Sequence, residues 1–253
     1  MLSLTAILIA GQPRFTKDFT DLIHNLKGST LYHWHICLWD KNPKPDKELD
    51  ERLELIHPLL REPTEQQIRK LFRKHLPGHH SIATVRIMPC EPPPYPQFTP
   101  YNCKIQSVWK QWWGWYCIKQ QLAEWENKYG KYDCVIKARP DIGLIKPLDL
   151  TDCNLNEITT SNNGQHGYKG WAMNDLIGIS NSDNMHTWLD VINHAEKYKN
   201  SGCVFHPETM LAWHLKKENK ITVKEAGWSL SFRTPDSNDP LRSDWGTWIP
   251  ECP

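Results

Sequence analysis

Apolar and polar residues follow one another along the chain in segments that predict strands and helices in turn. β-branched and aliphatic residues fill positions 4–10, and a second apolar segment covers 32–39. Between them lies a helical pattern that contains Phe19 and Leu22 and is ended by Gly28. A strand, a turn, a helix and a strand in this order predict a parallel pair joined by a right-handed crossover.

Helical periodicity is longest over residues 104–129, where apolar side chains recur at intervals of three and four, and Gly130 ends the pattern. The proline-rich segment 89–100 fits neither a helix nor a central strand and is predicted to be a loop. The polar segment 159–170 is also predicted to be a loop. Other helices are predicted over 48–60, 64–75, 184–198 and 207–217, and other strands over 81–88, 142–145, 176–179, 221–223 and 228–232.

The stretch 132–148, YDCVIKARPDIGLIKPL, combines a predicted buried strand with charged side chains. Its apolar run ends abruptly in Lys137-Ala138-Arg139-Pro140-Asp141. In α/β sheets ligands bind outside the carboxyl ends of the strands, so this segment is a candidate site. The alternative is a strand end at which Arg139 and Asp141 pair with each other or with solvent.

The whole pattern predicts an α/β fold, with a mostly parallel central sheet flanked by helices in a Rossmann-like arrangement. Neither an internal repeat nor a linker divides the chain, so residues 1–253 are predicted to form a single domain. The last segment, 234–253, is polar and contains proline, and it is predicted to be a tail.

Composition and charge predict a protein with a core and argue against two classes of partner. Of the 253 residues 39% are apolar and 23% are charged, which is enough apolar surface for a core, and the net charge is only +1. That charge argues against nucleic acid or an anionic membrane as a partner. The apolar N-terminal segment lacks a basic region and a cleavage site, so we expect a strand there and not a signal peptide. With no run of membrane-spanning length, a cytoplasmic protein is expected, in the host cytoplasm if the chain is viral.

Cysteine and tryptophan usage adds two expectations. The eight cysteines are scattered without a CxxC pair, which favours reduced, buried thiols, although an even number leaves disulfides open. The 13 tryptophans provide rings that fill the core or stack on sugars. Trp171 is one candidate for stacking on a sugar.

Common catalytic and nucleotide motifs are missing from the sequence. GxGxxG after the first strand, GxxxxGK[ST], HExxH and GxSxG do not occur, which disfavours dinucleotide enzymes, P-loop kinases, zinc proteases and α/β-hydrolases. His33 and His35 alternate on a strand and His79-His80 lie in a turn, and neither pair has a convincing set of further zinc ligands.

Polar groups at the predicted strand ends are the remaining candidates. An arginine in the turn after the first strand can grip a phosphate, and an aspartate can hold Mg²⁺ or Mn²⁺ on a diphosphate. A second carboxylate, Asp175 or Glu208, can act as general base toward a hydroxyl group. The candidates are Gln12, Arg14, Asp40, Arg139, Asp141, Asn174, Asp175 and Glu208.

The ordered segments ILIAGQPRF, HWHICLWD, YDCVIKARPDI, MNDLIGIS and HPETMLAWHL resemble a little-characterised group of viral and bacterial glycosyltransferases. That group is similar to the nucleotide-diphospho-sugar transferase superfamily with the GT-A fold. In the superfamily a strand ends in a DxD motif that binds the metal and the diphosphate. Arg139-Pro140-Asp141 stands at that place, so Asp141 keeps the second acid and Arg139 replaces the first. The resemblance spans residues 4–233.

The resemblance implies a glycosyltransferase that moves a sugar from a nucleoside diphosphate sugar to a glycan or another hydroxyl acceptor. Residues 1–148 would bind the nucleotide sugar and 149–233 the acceptor. Gln12, Arg14, Asp40, Arg139 and Asp141 would contact the donor, and Asp141 would hold Mn²⁺ or Mg²⁺. Alternatively, Arg139 itself neutralises the diphosphate. If the configuration is inverted, Asp175 is the first choice for the base and Glu208 the second; a retaining reaction needs no such base.

Two other functions stay open. The missing first acid favours a catalytically silent GT-A-like domain or a tryptophan-rich carbohydrate-binding module. A transferase that uses a sulfated or phosphorylated donor is a third reading, against which the absent phosphate loop argues. The oligomeric state is not predicted.

Overall fold

The computed structural model describes residues 2–12, 15, 17–40, 62–89, 91–101, 103–162, 173–228 and 230–232. The strands are β1 Leu2–Gly11, β2 Leu26–Lys27, β3 Ser29–Trp39, β4 His80–Met88, β5 Cys134–Ala138, β6 Ile142–Leu144, β7 Leu148–Asp149, β8 Ile158–Ser161, β9 Ile177–Ser180, β10 Val223–Ala226 and β11 Leu230–Phe232. The helices are α1 Lys17–Asn25, α2 Glu65–His75, α3 Ile105–Tyr129, α4 Ser182–Trp188, α5 Ala195–Asn200 and α6 Pro207–Ala212. Shorter turns of 3₁₀-helix are Leu150–Asp152 and Val191–His194, and a π-helical turn, Trp213–Glu218, continues α6.

Seven strands form the central sheet of the described residues, in the order β10-β8-β9-β5-β1-β3-β4. β1 pairs in parallel with β3 and β5, and β3 in parallel with β4. β9 runs antiparallel to both of its neighbours, β5 and β8. The prediction of an α/β fold with a mostly parallel sheet flanked by helices is therefore confirmed.

Helices cover both faces of the sheet and divide the core in two. The side chains of β1 alternate between the two faces of the sheet. Ile7 and Ile9 pack on the side of α1 and α2, and Ala6 and Leu8 pack on the side of α3. A Cβ at Gly114 would lie 3.6 Å from the backbone nitrogen of Gly11, so α3 crosses the end of β1 at close range. This contact brings the first turns of α3 to the carboxyl edge of the sheet.

The helices predicted over 64–75 and 104–129 are confirmed, and both have well-defined ends. Thr64 caps α2 in a capping box with Gln67, which satisfies backbone donors at the helix start. α3 covers nearly the whole predicted segment, and Gly130 follows it with a φ of 92°, a conformation that favours glycine. The predicted helix over 48–60 and the tail 234–253 lie outside the described residues.

The loop predicted over 159–170 is wrong at its start, because β8 lies there between β9 and β10. One of the three hydroxyl side chains in this strand, that of Thr160, lies within hydrogen-bond distance of buried backbone groups. Thr160 Oγ1 lies 2.9 Å from the carbonyl oxygen of Asn174 and 2.7 Å from that of Ile177. The single helix predicted over 184–198 is wrong too, since α4, a 3₁₀ turn and α5 share that stretch.

None of the helices in the described part of the chain combines the length and the apolarity that crossing a membrane requires. Six of the cysteines are described, and all six are free thiols. Three of them are buried and three are half-buried: Cys37, Cys134 and Cys203, and Cys103, Cys117 and Cys153.

Gly178 on β9 provides a test of the packing beside the candidate site. A Cβ at this position would lie 2.6 Å from Cζ3 and 2.9 Å from Cη2 of the buried Trp188 ring. Because overpacking a core typically costs about 1–3 kcal/mol, Gly178→Ala is expected to lower the free energy of unfolding by about that amount. Denaturant unfolding measures it. Gly78→Ala is the control, because open space surrounds Gly78, and an equal loss in both variants would contradict this packing.

Candidate functional site

The candidate site lies where the strand order of the sheet reverses. From β1 the chain moves outward through β3 to β4, and then α3 returns it to β5 on the other side of β1. Such a switch point leaves a crevice between the carboxyl ends of the two central strands. Here those ends are Gly11 of β1 and Ala138 of β5, whose strands pair through Ile9↔Ala138.

Arg139 and Asp141 form a bidentate ion pair at the end of β5. Arg139 Nε lies 2.8 Å from Asp141 Oδ1, and Arg139 Nη2 lies 2.5 Å from Oδ2. The side chain of Arg139 is 41% exposed and that of Asp141 is 18% exposed. The adjacent carboxylate raises the pKa of Arg139 against the opposing effect of burial. The guanidinium is thus charged, oriented and open to a ligand on one side.

Asp175 joins this pair because β9 runs antiparallel to β5. The start of β9 then lies beside the end of β5, in the register Ala138↔Ile177. The backbone N–H of Arg139 donates to the carbonyl oxygen of Leu176 at 3.2 Å. Asp175 is buried, and its Oδ2 accepts a hydrogen bond of 2.5 Å from Gln111 Nε2 on α3. Asp141 and Asp175, which are 34 positions apart in the sequence, are therefore brought to the same edge of the sheet.

Asn174 and Glu208 have different surroundings. Asn174 is buried, and its Oδ1 accepts from the backbone N–H of Leu176 at 2.7 Å, which turns the chain into β9. Glu208 lies in the first turn of α6, after His206 and Pro207. The segment before it reaches α3, where the ring of Phe205 lies 5.3 Å from that of Trp112.

Two further predicted donor-binding residues, Gln12 and Asp40, lie on the β1 and β3 side of the crevice. Gln12 follows β1 directly, and Asp40 follows β3, whose register with β1 includes Gly11↔Leu38. The backbone N–H of Asp40 donates to the carbonyl oxygen of Met88 at 2.7 Å. Arg14 and Trp171 lie outside the described residues.

Lys137 is the site residue that the sequence interpretation left without a role. It is only 3% exposed, and its Nζ donates to the carbonyl oxygen of Asp175. The same atom lies 4.3 Å from the ring centroid of Trp115 and 5.7 Å from that of Trp188. The available signal was alternation, since Lys137 shares a strand face with Val135, and that face packs under α3.

Comparison with known proteins assigns no family. No protein-family model matches the chain, and no curated protein matches it. The resemblance to glycosyltransferases rests on the motifs in the sequence.

A divalent cation does not fit the arrangement around Asp141. Both carboxylate oxygens already accept from Arg139, and a cation placed there would face the positive charge of the guanidinium. The described residues contain no group of three or more His, Cys, Asp and Glu side chains arranged to hold a metal ion. The predicted Mn²⁺ or Mg²⁺ therefore has no support from this donor set, and no catalytic step is assigned to it below.

Three of the four histidines considered as zinc ligands, His33, His35 and His80, take part in hydrogen bonds with other side chains. His35 Nε2 lies 2.8 Å from the hydroxyl oxygen of Tyr132, and His35 Nδ1 lies 2.8 Å from Thr84 Oγ1. Burial lowers the pKa of His35 to about 3, so this imidazole is neutral. The indole N–H of Trp34 donates to His80 Nδ1 at 3.1 Å. These contacts are those of buried structural histidines.

Proposed function

We propose that the protein is a glycosyltransferase that uses a nucleoside diphosphate sugar, with a GT-A-like version of its Rossmann-like fold. The observation that carries the proposal is the meeting of Arg139, Asp141 and Asp175 at the switch point of the sheet. A guanidinium and a carboxylate at one edge are two groups that an inverting sugar transfer can use, one for the leaving diphosphate and one for the acceptor. The motif resemblance supports the same assignment.

Arg139 is assigned to the diphosphate. When the bond between the sugar carbon and the diphosphate oxygen breaks, the electron pair stays on that oxygen. A fixed cation beside it stabilises the developing negative charge. Asp141 pairs with the Nε–Nη2 edge of the guanidinium and holds the group in orientation, and the Nη1–Nη2 edge is the fork that can match two phosphate oxygens.

Asp175 is assigned to the acceptor hydroxyl. In an inverting reaction its carboxylate takes the proton while the hydroxyl oxygen bonds to the sugar carbon. Gln111 donates to one carboxylate oxygen, which leaves the other to accept the proton. Glu208, at the start of α6, is the second choice for this base. The acceptor would approach from the side of residues 149–233.

Hydrolysis of sugar nucleotides tests the proposal. Purified protein is incubated with UDP-, GDP- and dTDP-sugars, and the released nucleoside diphosphate is quantified. Slow release from one donor class is expected, because glycosyltransferases that lack an acceptor transfer sugar to water. Asp141→Ala should abolish the release since it leaves Arg139 without its orienting partner, whereas the exposed Asp152→Ala should not.

A carbohydrate-binding module is the second candidate function. It is favoured by one observation, the replacement of the first DxD acid by Arg139, whose pairing occupies Asp141. Tight glycan binding with no turnover of any donor would establish it against the transferase.

A further inference from the structure

Lys137 is a buried lysine that contacts the backbone of the proposed catalytic base. Its Nζ donates to the carbonyl oxygen of Asp175, and two indole faces, from Trp115 on α3 and Trp188 on α4, lie within 6 Å of the same atom. β5 supplies the lysine in the register Lys137↔Gly178. The ammonium group of Lys137 is thus contacted from α3, from α4 and from the segment before β9.

This arrangement is specific for a cation. An ammonium group is attracted to the negative faces of aromatic rings, and a charge-assisted hydrogen bond to a carbonyl oxygen is stronger than a neutral one. Gly178 contributes by its missing side chain, because Trp188 occupies the space where a Cβ would lie. The ring is thereby held over the strand beside Lys137.

We propose that Lys137 is a positioning residue that fixes the backbone at Asp175 and so directs the Asp175 carboxylate toward the acceptor. The inference deepens the proposed function and rests on it for the role of Asp175. Lys137 is buried and acts through its hydrogen bond to the backbone of that residue. It is therefore not itself expected to contact donor or acceptor.

The groups that face Lys137 fix the expected pH dependence. Burial is the main cause that lowers the pKa of Lys137, and Arg139 adds to it, whereas the carboxylates of Asp175 and Asp141 oppose the shift; together these effects place the pKa at about 7. The groups that face Lys137 from α3 and α4 are the indoles of Trp115 and Trp188. Below the folded pKa the ammonium is present and holds Asp175, and it is lost as the pH rises through about 7. Turnover should therefore fall on the alkaline side of about pH 7.

Two substitutions separate positioning from simple packing. Lys137→Met keeps the length of the side chain but removes the charge and the donor. It is expected to lower kcat about 100-fold, as small displacements of catalytic groups do, and to leave the donor KM unchanged. Lys137→Arg keeps a charge that does not titrate and stacks on indoles, so it should restore part of kcat and remove the alkaline fall. Lys131→Met, at an exposed ion pair with Asp183, is the matched control.

A spectroscopic titration decides the inference without any turnover. In protein labelled with ¹³C at lysine Cε, one resonance should titrate near pH 7, far from ordinary lysines, and should be absent in Lys137→Arg. Asp175→Asn should lower that titration midpoint, because it removes a negative charge that raises the pKa. These results would support the contact even if every donor were inert, and inert donors would refute only the proposed function.

Two outcomes would overturn the inference. One is a midpoint that does not respond to Asp175→Asn. The other, in an active wild-type protein, is a Lys137→Met variant with unchanged kcat and an unchanged pH profile, whatever its melting temperature.

Discussion

Asp175→Asn is expected to lower the turnover of sugar transfer by about 10²- to 10⁴-fold, the usual contribution of a general base. The amide has nearly the same shape and keeps one oxygen that can accept from Gln111 Nε2, so the loop before β9 should stay in place. What is lost is the group that is proposed to take the proton of the acceptor hydroxyl. Initial rates at saturating donor and acceptor measure the effect, and the donor KM should stay within about twofold of wild type.

Asp152→Asn is the matched control for this substitution, because it is the same chemical change at an exposed residue in a 3₁₀ turn. It should retain wild-type turnover. Glu208→Gln separates the first choice of base from the second. If Glu208→Gln abolishes transfer while Asp175→Asn does not, the assignment of the base to Asp175 is wrong.

Arg139→Gln is expected to weaken the binding of a nucleoside diphosphate by about 10- to 150-fold. This range corresponds to the roughly 1.5–3 kcal/mol of a hydrogen bond to a charged group, since 1.4 kcal/mol is a factor of ten. The glutamine removes the charge and the two-pronged donor but keeps a polar side chain. Isothermal titration calorimetry with the diphosphate that binds wild type best gives the two dissociation constants.

Arg86→Gln is the control for the loss of one positive charge, since Arg86 pairs with Glu124 on the surface through a contact of 2.7 Å. Its affinity for the diphosphate should equal that of wild type. A counterpart variant, Arg139→Asp, would place two carboxylates where DxD stands in the resembled superfamily. Its diphosphate binding should require Mn²⁺, whereas binding to wild type should persist in EDTA. Loss of wild-type binding in EDTA would contradict the assignment of charge compensation to Arg139.

Local patterns were sufficient for much of the fold. The periodicity of residues 104–129 predicted α3, and the apolar run 134–136 predicted the core of β5. These elements carry their own signal, because helical and strand alternation are local properties of the sequence. The segment 159–161 carried the wrong signal, because threonine and serine hydroxyls are typical of loops. In β8 the hydroxyl of Thr160 instead lies within hydrogen-bond distance of the buried carbonyl oxygens of Asn174 and Ile177.

The candidate site could be predicted only in part, because its geometry depends on strand order. Arg139 and Asp141 are two residues apart, so their meeting at a strand end followed from the sequence. The position of Asp175 beside them depends on the antiparallel direction of β9, which no local pattern encodes. The contact of Lys137 with Asp175 has the same origin. The charge of Lys137 suggested an exposed strand end, whereas its ammonium group is buried beside the indoles of α3 and α4.

The central claim is that the carboxyl edge between β1 and β5 binds the diphosphate of a sugar donor. Thermal unfolding of wild type with UDP, GDP, ADP, CDP and dTDP, each in EDTA and in Mn²⁺, tests it most directly. Ligand at 100 times its dissociation constant stabilises the native state by about 2.7 kcal/mol. At this chain length such a gain raises the melting temperature by roughly 5–10 °C. We predict that one diphosphate produces this shift in EDTA and fails to do so with Arg139→Gln. No shift with any of the five, in either condition, would contradict the claim.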